Sequence, residues 1–253
     1  MKIALRAILL SAVFGIVAAT FAVRAAAPKT QTVQISAPDG MVSGFLALPS
    51  TGGKHPALVV IHEWWGLTDW VKGETEKFAE QGYVALAVDL YRGKVTTDPK
   101  EAYQLMRALP QERAVGDLEA AYKFLSARKD VEPGRIGSVG WCMGGTYSLQ
   151  LAIHEPRLAA CVVNYGVLPT DSAELQKIHA PLLGNFGGLD REITPADVHG
   201  FEKTMKSLGK SVNVKIYADA GHAFENPIDT TYRPADAADA WTRMTVFLRK
   251  NLK

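Results

Sequence analysis

The stretch from Ile136 to Gly145 constrains the fold of this chain more than any other. An apolar, β-branched run, Ile136-Gly137-Ser138-Val139, ends in Gly140-Trp141-Cys142-Met143-Gly144-Gly145 and leads without a spacer into a helical pattern that reaches His154. A strand that turns directly into a helix forces the central residue into a strained backbone conformation. It also brings neighbouring segments close, so the positions two before and two after that residue must lack bulk. The turn places Cys142 at a helix N-terminus, where the dipole and the free amides favour a thiolate and a developing oxyanion. A buried structural cysteine fits the same short pattern, so the reading of Cys142 as a nucleophile depends on what the rest of the chain supplies.

The rest of the chain alternates short β-branched runs with longer amphipathic stretches, the pattern of a mostly parallel central sheet covered by helices on both faces. Thr32 to Ile35 and Val42 to Leu48, separated by Pro38-Asp39-Gly40, predict an opening antiparallel hairpin. Buried strands follow at Ala57 to Ile61, Val84 to Val88, Ile136 to Gly140, Ala159 to Asn164, Leu182 to Phe186 and Val212 to Tyr217. Helices are predicted over Asp69 to Gln81, Pro99 to Ala108, Glu112 to Ala127, Gly145 to His154, Pro195 to Leu208 and Ala235 to Leu252. Two of them carry their own start signals, Asp98-Pro99 with Glu101 and Thr194-Pro195 with Asp197. No repeat, low-complexity tract or linker follows Pro28, so residues 28–253 are expected to form one domain.

In an open sheet of this kind ligands bind beyond the carboxyl ends of the strands, and there two further residues complete a set with Cys142. Asp190 follows the run Leu182 to Phe186 through Gly187-Gly188-Leu189, and His222 follows Val212 to Tyr217 through Ala218-Asp219-Ala220-Gly221. Alone, each reads equally well as a turn or loop residue. Together they give nucleophile, acid and histidine in the chain order that a strand-turn-helix elbow demands. Asp190 would fix the tautomer of His222, and His222 would exchange a proton with Cys142 and activate water. After the third strand, Ile61-His62-Glu63-Trp64-Trp65-Gly66 occupies the place of a loop that donates an oxyanion amide, which assigns the two amides to Trp64 and Met143. His62 reads as a packed, hydrogen-bonding residue. The remaining histidines show no metal-ligand spacing, and neither a metal nor a cofactor is expected.

The His62-Glu63 loop, Asp89-Leu90-Tyr91, Gly140-Trp141-Cys142, Gly188-Leu189-Asp190 and Gly221-His222-Ala223-Phe224 together resemble the dienelactone hydrolase family over nearly all of Thr32 to Leu252. The resemblance implies an α/β-hydrolase fold in a single domain, a cysteine, histidine and aspartate triad, no cofactor, and hydrolysis of a small ester or lactone through a thioester. It also implies that Glu63 contacts the nucleophile. A carboxylate about 5 Å from a thiolate costs on the order of 3 kcal/mol at an effective dielectric of about 20. Glu63 is therefore expected to hold the resting thiol of Cys142 protonated. In that family arginines two residues after the tyrosine and four after the histidine bind a substrate carboxylate; here those positions hold Gly93 and Asn226. Arg92 is displaced by one residue and reads either as a pocket cation or as an exposed loop cation. Trp65, Tyr91, Trp141 and Phe224 are read as an aromatic pocket lining, with core packing as the alternative for each.

Two other function classes compete with the hydrolase. A noncatalytic binding protein that kept the fold would not need nucleophile, base, acid and oxyanion loop together, and a thiol redox protein would be expected to carry a Cys-x-x-Cys pair. Met1 to Ala27 has the layout of a secretory leader: Lys2 and Arg6, an apolar run from Ala7 to Val23, then Arg24-Ala25-Ala26-Ala27. Cleavage there predicts a secreted or periplasmic product with no membrane attachment, and an uncleaved anchor is the alternative. Without Lys2, Arg6 and Arg24 the 28 basic residues fall to 25 against 26 acidic ones, a net charge of about −1. That charge gives no footprint for nucleic acid. Cys161 opens an apolar run and reads as a small core residue rather than a disulfide partner of Cys142.

Overall fold

The computed structural model describes residues 26–253, so the expected leader lies almost wholly outside the described residues. The described residues begin with β1 (Lys29–Ala37), β2 (Gly40–Leu48), β3 (His55–Ile61), α1 (Asp69–Glu80) and β4 (Val84–Val88). They continue through α2 (Pro99–Arg107), α3 (Gln111–Ser126), β5 (Val131–Trp141), α4 (Met143–His154) and β6 (Ala160–Asn164). They close with α5 (Ser172–Leu175), β7 (Leu182–Gly187), α6 (Pro195–Ser207), β8 (Val212–Tyr217) and α7 (Pro234–Leu252). The strands form one eight-stranded sheet in the order β1-β2-β4-β3-β5-β6-β7-β8. The β1/β2 hairpin turns at Pro38-Asp39 with Ala37 opposite Gly40, and β2 lies antiparallel to β4. From β4 to β8 every pairing is parallel.

The apolar strands are two-sided, as runs without polar alternation require. Ala57, Val59 and Ile61 of β3 join the core under α3, α4 and α6, where Leu118, Leu149 and Phe201 meet them. Leu58 and Val60 enter the opposite core with Val71 and Phe78 of α1 and Met244 and Leu248 of α7. The expected arrangement, a mostly parallel sheet between two helical layers, is the one observed. Among the described residues no helix is long and apolar enough to cross a membrane.

The expected helix starts also have their side chains in place. The Asp98 carboxylate accepts from the Lys100 amide at 2.9 Å. Thr194 and Asp197 form a reciprocal capping box. Two element starts shift for identifiable reasons, and one helix was not expected. Helix α4 starts at Met143, two residues before the expected Gly145, because Cys142 alone makes the turn at φ 55° and ψ −122°. Strand β5 starts at Val131 rather than Ile136, through an irregularity opposite His55. The one-turn helix α5, capped by Asp171, is too short for periodicity to reveal.

Candidate active site

Every strand from β3 to β8 delivers residues to the same edge of the sheet, and the sharpest delivery is at Cys142. Its backbone lies in the left-handed region that a side chain tolerates poorly, which is affordable because the flanking positions have no Cβ. A Cβ on Gly140 would stand 2.0 Å from the Gly144 oxygen, and one on Gly144 would stand 2.2 Å from the Ile61 oxygen. The Cys142 amide donates to the Asn164 oxygen at 3.0 Å, fixing the turn to β6. Met143 opens α4, so its amide has no acceptor within the helix. Both cysteines are free thiols; Cys142 is half-buried and Cys161 fully buried.

Asp190 and His222 meet across the ends of β7 and β8, with His222 Nδ1 2.8 Å from Asp190 Oδ2. The other oxygen of Asp190 accepts the amides of Glu192 at 2.8 Å and Ile193 at 3.1 Å. Burial works against the Asp190 charge, but His222 and these two amides prevail and hold the carboxyl below its ordinary range. Burial also works against a charged His222, yet Asp190 on one side and the sulfur of Cys142 on the other push the imidazole up to about 11. Its Nε2 is buried and makes no regular hydrogen bond, leaving that nitrogen free for the sulfur beside it. The three residues singled out from the sequence are thus neighbours in space.

Glu63 is buried behind them, with one oxygen accepting from Asn226 Nδ2 at 2.7 Å and the other from the Tyr165 hydroxyl at 3.4 Å. Burial raises this carboxyl to about 7, against the lowering effects of Asn226 and of the nearby His222. Its hydrogen bonds therefore go to Asn226 and Tyr165. Tyr165 follows β6 at φ 39°, packs edge-on to His222 with ring centroids 5.2 Å apart, and carries no sequence signal beyond its place after a strand. Asn226 stands where an arginine was looked for, and it serves Glu63. His62 accepts the Leu90 amide on Nε2 at 3.2 Å and donates from Nδ1 to the Glu63 backbone carbonyl oxygen at 2.6 Å. Burial lowers its pKa, so it is a neutral tie between two loops, as its packed reading anticipated.

The aromatic residues separate into two groups. Trp65 and Asn226 line a cavity of about 340 Å³ with Thr68, Thr96 and Ile228. Trp64 packs against Trp65 with centroids 4.8 Å apart, and the Tyr91 hydroxyl sits 3.2 Å from the Met143 sulfur. Tyr91 is itself buried in the core rather than on a cavity wall, and Trp141 and Phe224 are fully buried: Trp141 packs on Trp70 and Phe78, and Phe224 on Tyr165 and Tyr217. Arg92, at φ 55°, directs its guanidinium to Asp117 of α3 at 2.8 Å, an ion pair that occupies the cation expected near the pocket. Among the described residues no group of three His, Cys, Asp or Glu side chains is placed to hold a metal ion.

Comparison with known proteins speaks to the family and the fold. A protein of Methylorubrum extorquens provisionally named carboxymethylenebutenolidase is 31% identical over 232 residues, covering 86% of this chain and 80% of its own. A Bradyrhizobium protein provisionally named 2-oxo-3-(5-oxofuran-2-ylidene)propanoate lactonase is 31% identical over 223 residues, covering 82% and 89%. The crystal structure of a provisionally named dienelactone hydrolase from Klebsiella pneumoniae superposes with a TM-score of 0.79 at 24% identity, covering 88% of this chain and 99% of that one, and so speaks to the fold. Residues 42–252 match the profile of the dienelactone hydrolase family. With the sheet order, the strand-turn-helix elbow and the profile in agreement, this chain belongs to the dienelactone hydrolase family.

Proposed function

We propose that this protein hydrolyses a small carboxylic ester or lactone with Cys142 as nucleophile, His222 as base and acid, and Asp190 as the residue that orients and charges His222. The observation that carries the reading is the 2.8 Å bond between Asp190 and His222, with Nε2 left free beside a sulfur at a helix N-terminus. The proton shared between the thiol and His222 rests on the imidazole, which Asp190 and the sulfur hold charged, as the sulfur adds to the acyl carbon. The carbonyl electrons move to an oxygen held by the Met143 and Trp64 amides. The carbon–oxygen single bond then breaks, its oxygen takes the proton from His222, and a thioester on Cys142 remains. Water, deprotonated by His222, repeats the addition and expels the thiol, releasing a carboxylic acid. Names among the relatives support a lactone as the substrate class.

The test is a panel of lactones and activated aryl esters, with the enzyme quenched during turnover and its mass measured. Turnover with an acyl adduct on the peptide that contains Cys142 is expected. No turnover of any member, or an adduct elsewhere, would overturn the proposal.

Glu63 is proposed to restrain the free thiol, a role that its position behind His222 supports. Glu63→Gln removes the charge and keeps the shape. It is expected to speed iodoacetamide alkylation of Cys142 relative to the parent protein while slowing ester turnover. Because Glu63 titrates at about 7, that ratio of alkylation rates should be largest above pH 7 and approach one near pH 5, where the parent carboxyl is protonated. A ratio of one at every pH would remove Glu63 from control of the thiol. Export is also proposed, supported by the leader pattern of Met1 to Ala27. The intact mass of the product from a secreting host should correspond to a start near Ala26 to Pro28, and the full chain in the membrane fraction would replace cleavage with anchoring.

A further inference from the structure

A second cavity, of about 420 Å³, opens between α1, α7 and the loop after His222, and none of Cys142, Asp190 and His222 lines it. Its walls are aromatic: Trp70, Trp141, Trp241 and Tyr232. Trp70 and Trp141 meet edge to face with centroids 5.3 Å apart, which leaves ring faces turned to other neighbours. The lining also holds two carboxylates, Glu74 and Glu225, and one ammonium, Lys77.

Both carboxylates are more than nine-tenths buried, and their partners differ. Glu74 pairs with Lys77 at 2.7 Å. Glu225 accepts the Trp141 indole N–H on Oε2 at 3.0 Å, while its other oxygen is buried with no partner. A buried carboxylate oxygen without a donor is costly unless something supplies one. Burial, with Glu74 and Glu63 adding repulsion, raises Glu225 to about 8, so this carboxyl is largely protonated at neutral pH and gives up its proton when a cation settles beside it. Lys77 already holds its ammonium 5.7 Å from the Trp241 centroid, so this wall accepts a cation, but that ammonium is engaged by Glu74.

We propose that this cavity is a binding site for a small organic cation, an alkyl or quaternary ammonium, held by the faces of Trp70, Trp241 and Tyr232 and by the charge of Glu225. Aromatic faces attract cations through their quadrupole, and a desolvated carboxylate among them gives the charge preference that an apolar cavity lacks. The cavity holds none of the three proposed catalytic residues. Glu225 nevertheless stands three residues after His222 and bonds the residue before Cys142, so its occupant bears on both loops.

The experiment is calorimetric titration of the protein with choline chloride, with sodium chloride at equal ionic strength and the neutral isostere 3,3-dimethyl-1-butanol as controls. Saturable binding of choline is expected, with the isostere about tenfold weaker or worse, the scale of a desolvated cation's preference over a neutral group of the same shape. Glu225→Gln keeps an acceptor for Trp141 and removes the charge, and it should lose choline binding by a similar factor. Should that variant not fold, Ala238→Arg decides, since this exposed α7 position on the cavity rim would carry a tethered cation into the site and compete choline out. No saturable heat, equal binding of the isostere, or undiminished binding by either folded variant would overturn the proposal.

Discussion

Replacing Cys142 with alanine is expected to cut turnover of an activated aryl ester on the order of 10⁵-fold or more, the scale at which a covalent hydrolase loses its nucleophile. The methyl group fits the site without strain beyond that already present at φ 55°, so secondary structure and melting should stay near those of the parent. The control lies in the same sheet. Cys161 is fully buried, with its sulfur 3.5 Å from the Ser148 hydroxyl and carbonyl oxygens. Ser138 and Ser148 already bond each other at 2.8 Å, so Cys161→Ala leaves no orphaned hydroxyl and costs only a small cavity, about 1 kcal/mol. That is a loss of roughly 2–4 °C in melting temperature with turnover retained. Burial pushes the Cys161 thiol up to about 11, so it stays unreactive where Cys142 alkylates. Steady-state kinetics and thermal melts of the two variants decide the matter. Near-normal turnover by Cys142→Ala would mean that another residue forms the covalent bond.

The contrast between the two cysteines was legible in the sequence because its causes are local. Glycines around Cys142 mark a turn, and Val162 and Val163 beside Cys161 mark a buried strand. Asp190 and His222 were legible for a related reason: each follows its strand through a short glycine-containing loop, so chain order alone placed them at one end of the sheet. What escaped was pairing across long separations. Glu63 and Asn226 are 163 positions apart, and nothing in the sequence near either states that a buried carboxylate will find an amide there. Tyr165 escaped because a strand end carries no motif of its own. Arg92 was misdirected by its nearness to the expected pocket; Asp117, buried nearly two turns into α3, claims it at lower cost than an uncompensated charge would allow. Trp141 and Phe224 belong to motifs that shape the pocket loops, yet their side chains fill the core beneath. Neighbouring residues on a tight turn point to different layers, and a sequence records only that they are neighbours.

The same local causes set the second large effect. Gly144→Ala is expected to destabilise the protein by about 3 kcal/mol or more, at the upper end for overpacking. The reason lies in what the new methyl group meets: a Cβ there stands 2.2 Å from the Ile61 oxygen and 2.5 Å from the His62 oxygen. Both are backbone atoms at the end of β3, so no side chain can swing aside, and either α4 or the Glu63-Trp64 loop must move. Movement of α4 displaces Met143 and Cys142; movement of the loop displaces the other proposed oxyanion amide. Activity should therefore fall together with stability. Gly200→Ala supplies the opposite case. Gly200 lies within α6, is exposed, and would have nothing within 4 Å of its new methyl group. There the only consequence is a stiffer unfolded chain and a better helix former, a gain of about 0.5–1 kcal/mol. Thermal melts should show Gly144→Ala lower by roughly 6–12 °C and Gly200→Ala higher by roughly 1–4 °C. If Gly144→Ala melted with the parent and kept its turnover, the close approach of α4 to β3 would not be what holds the elbow in shape.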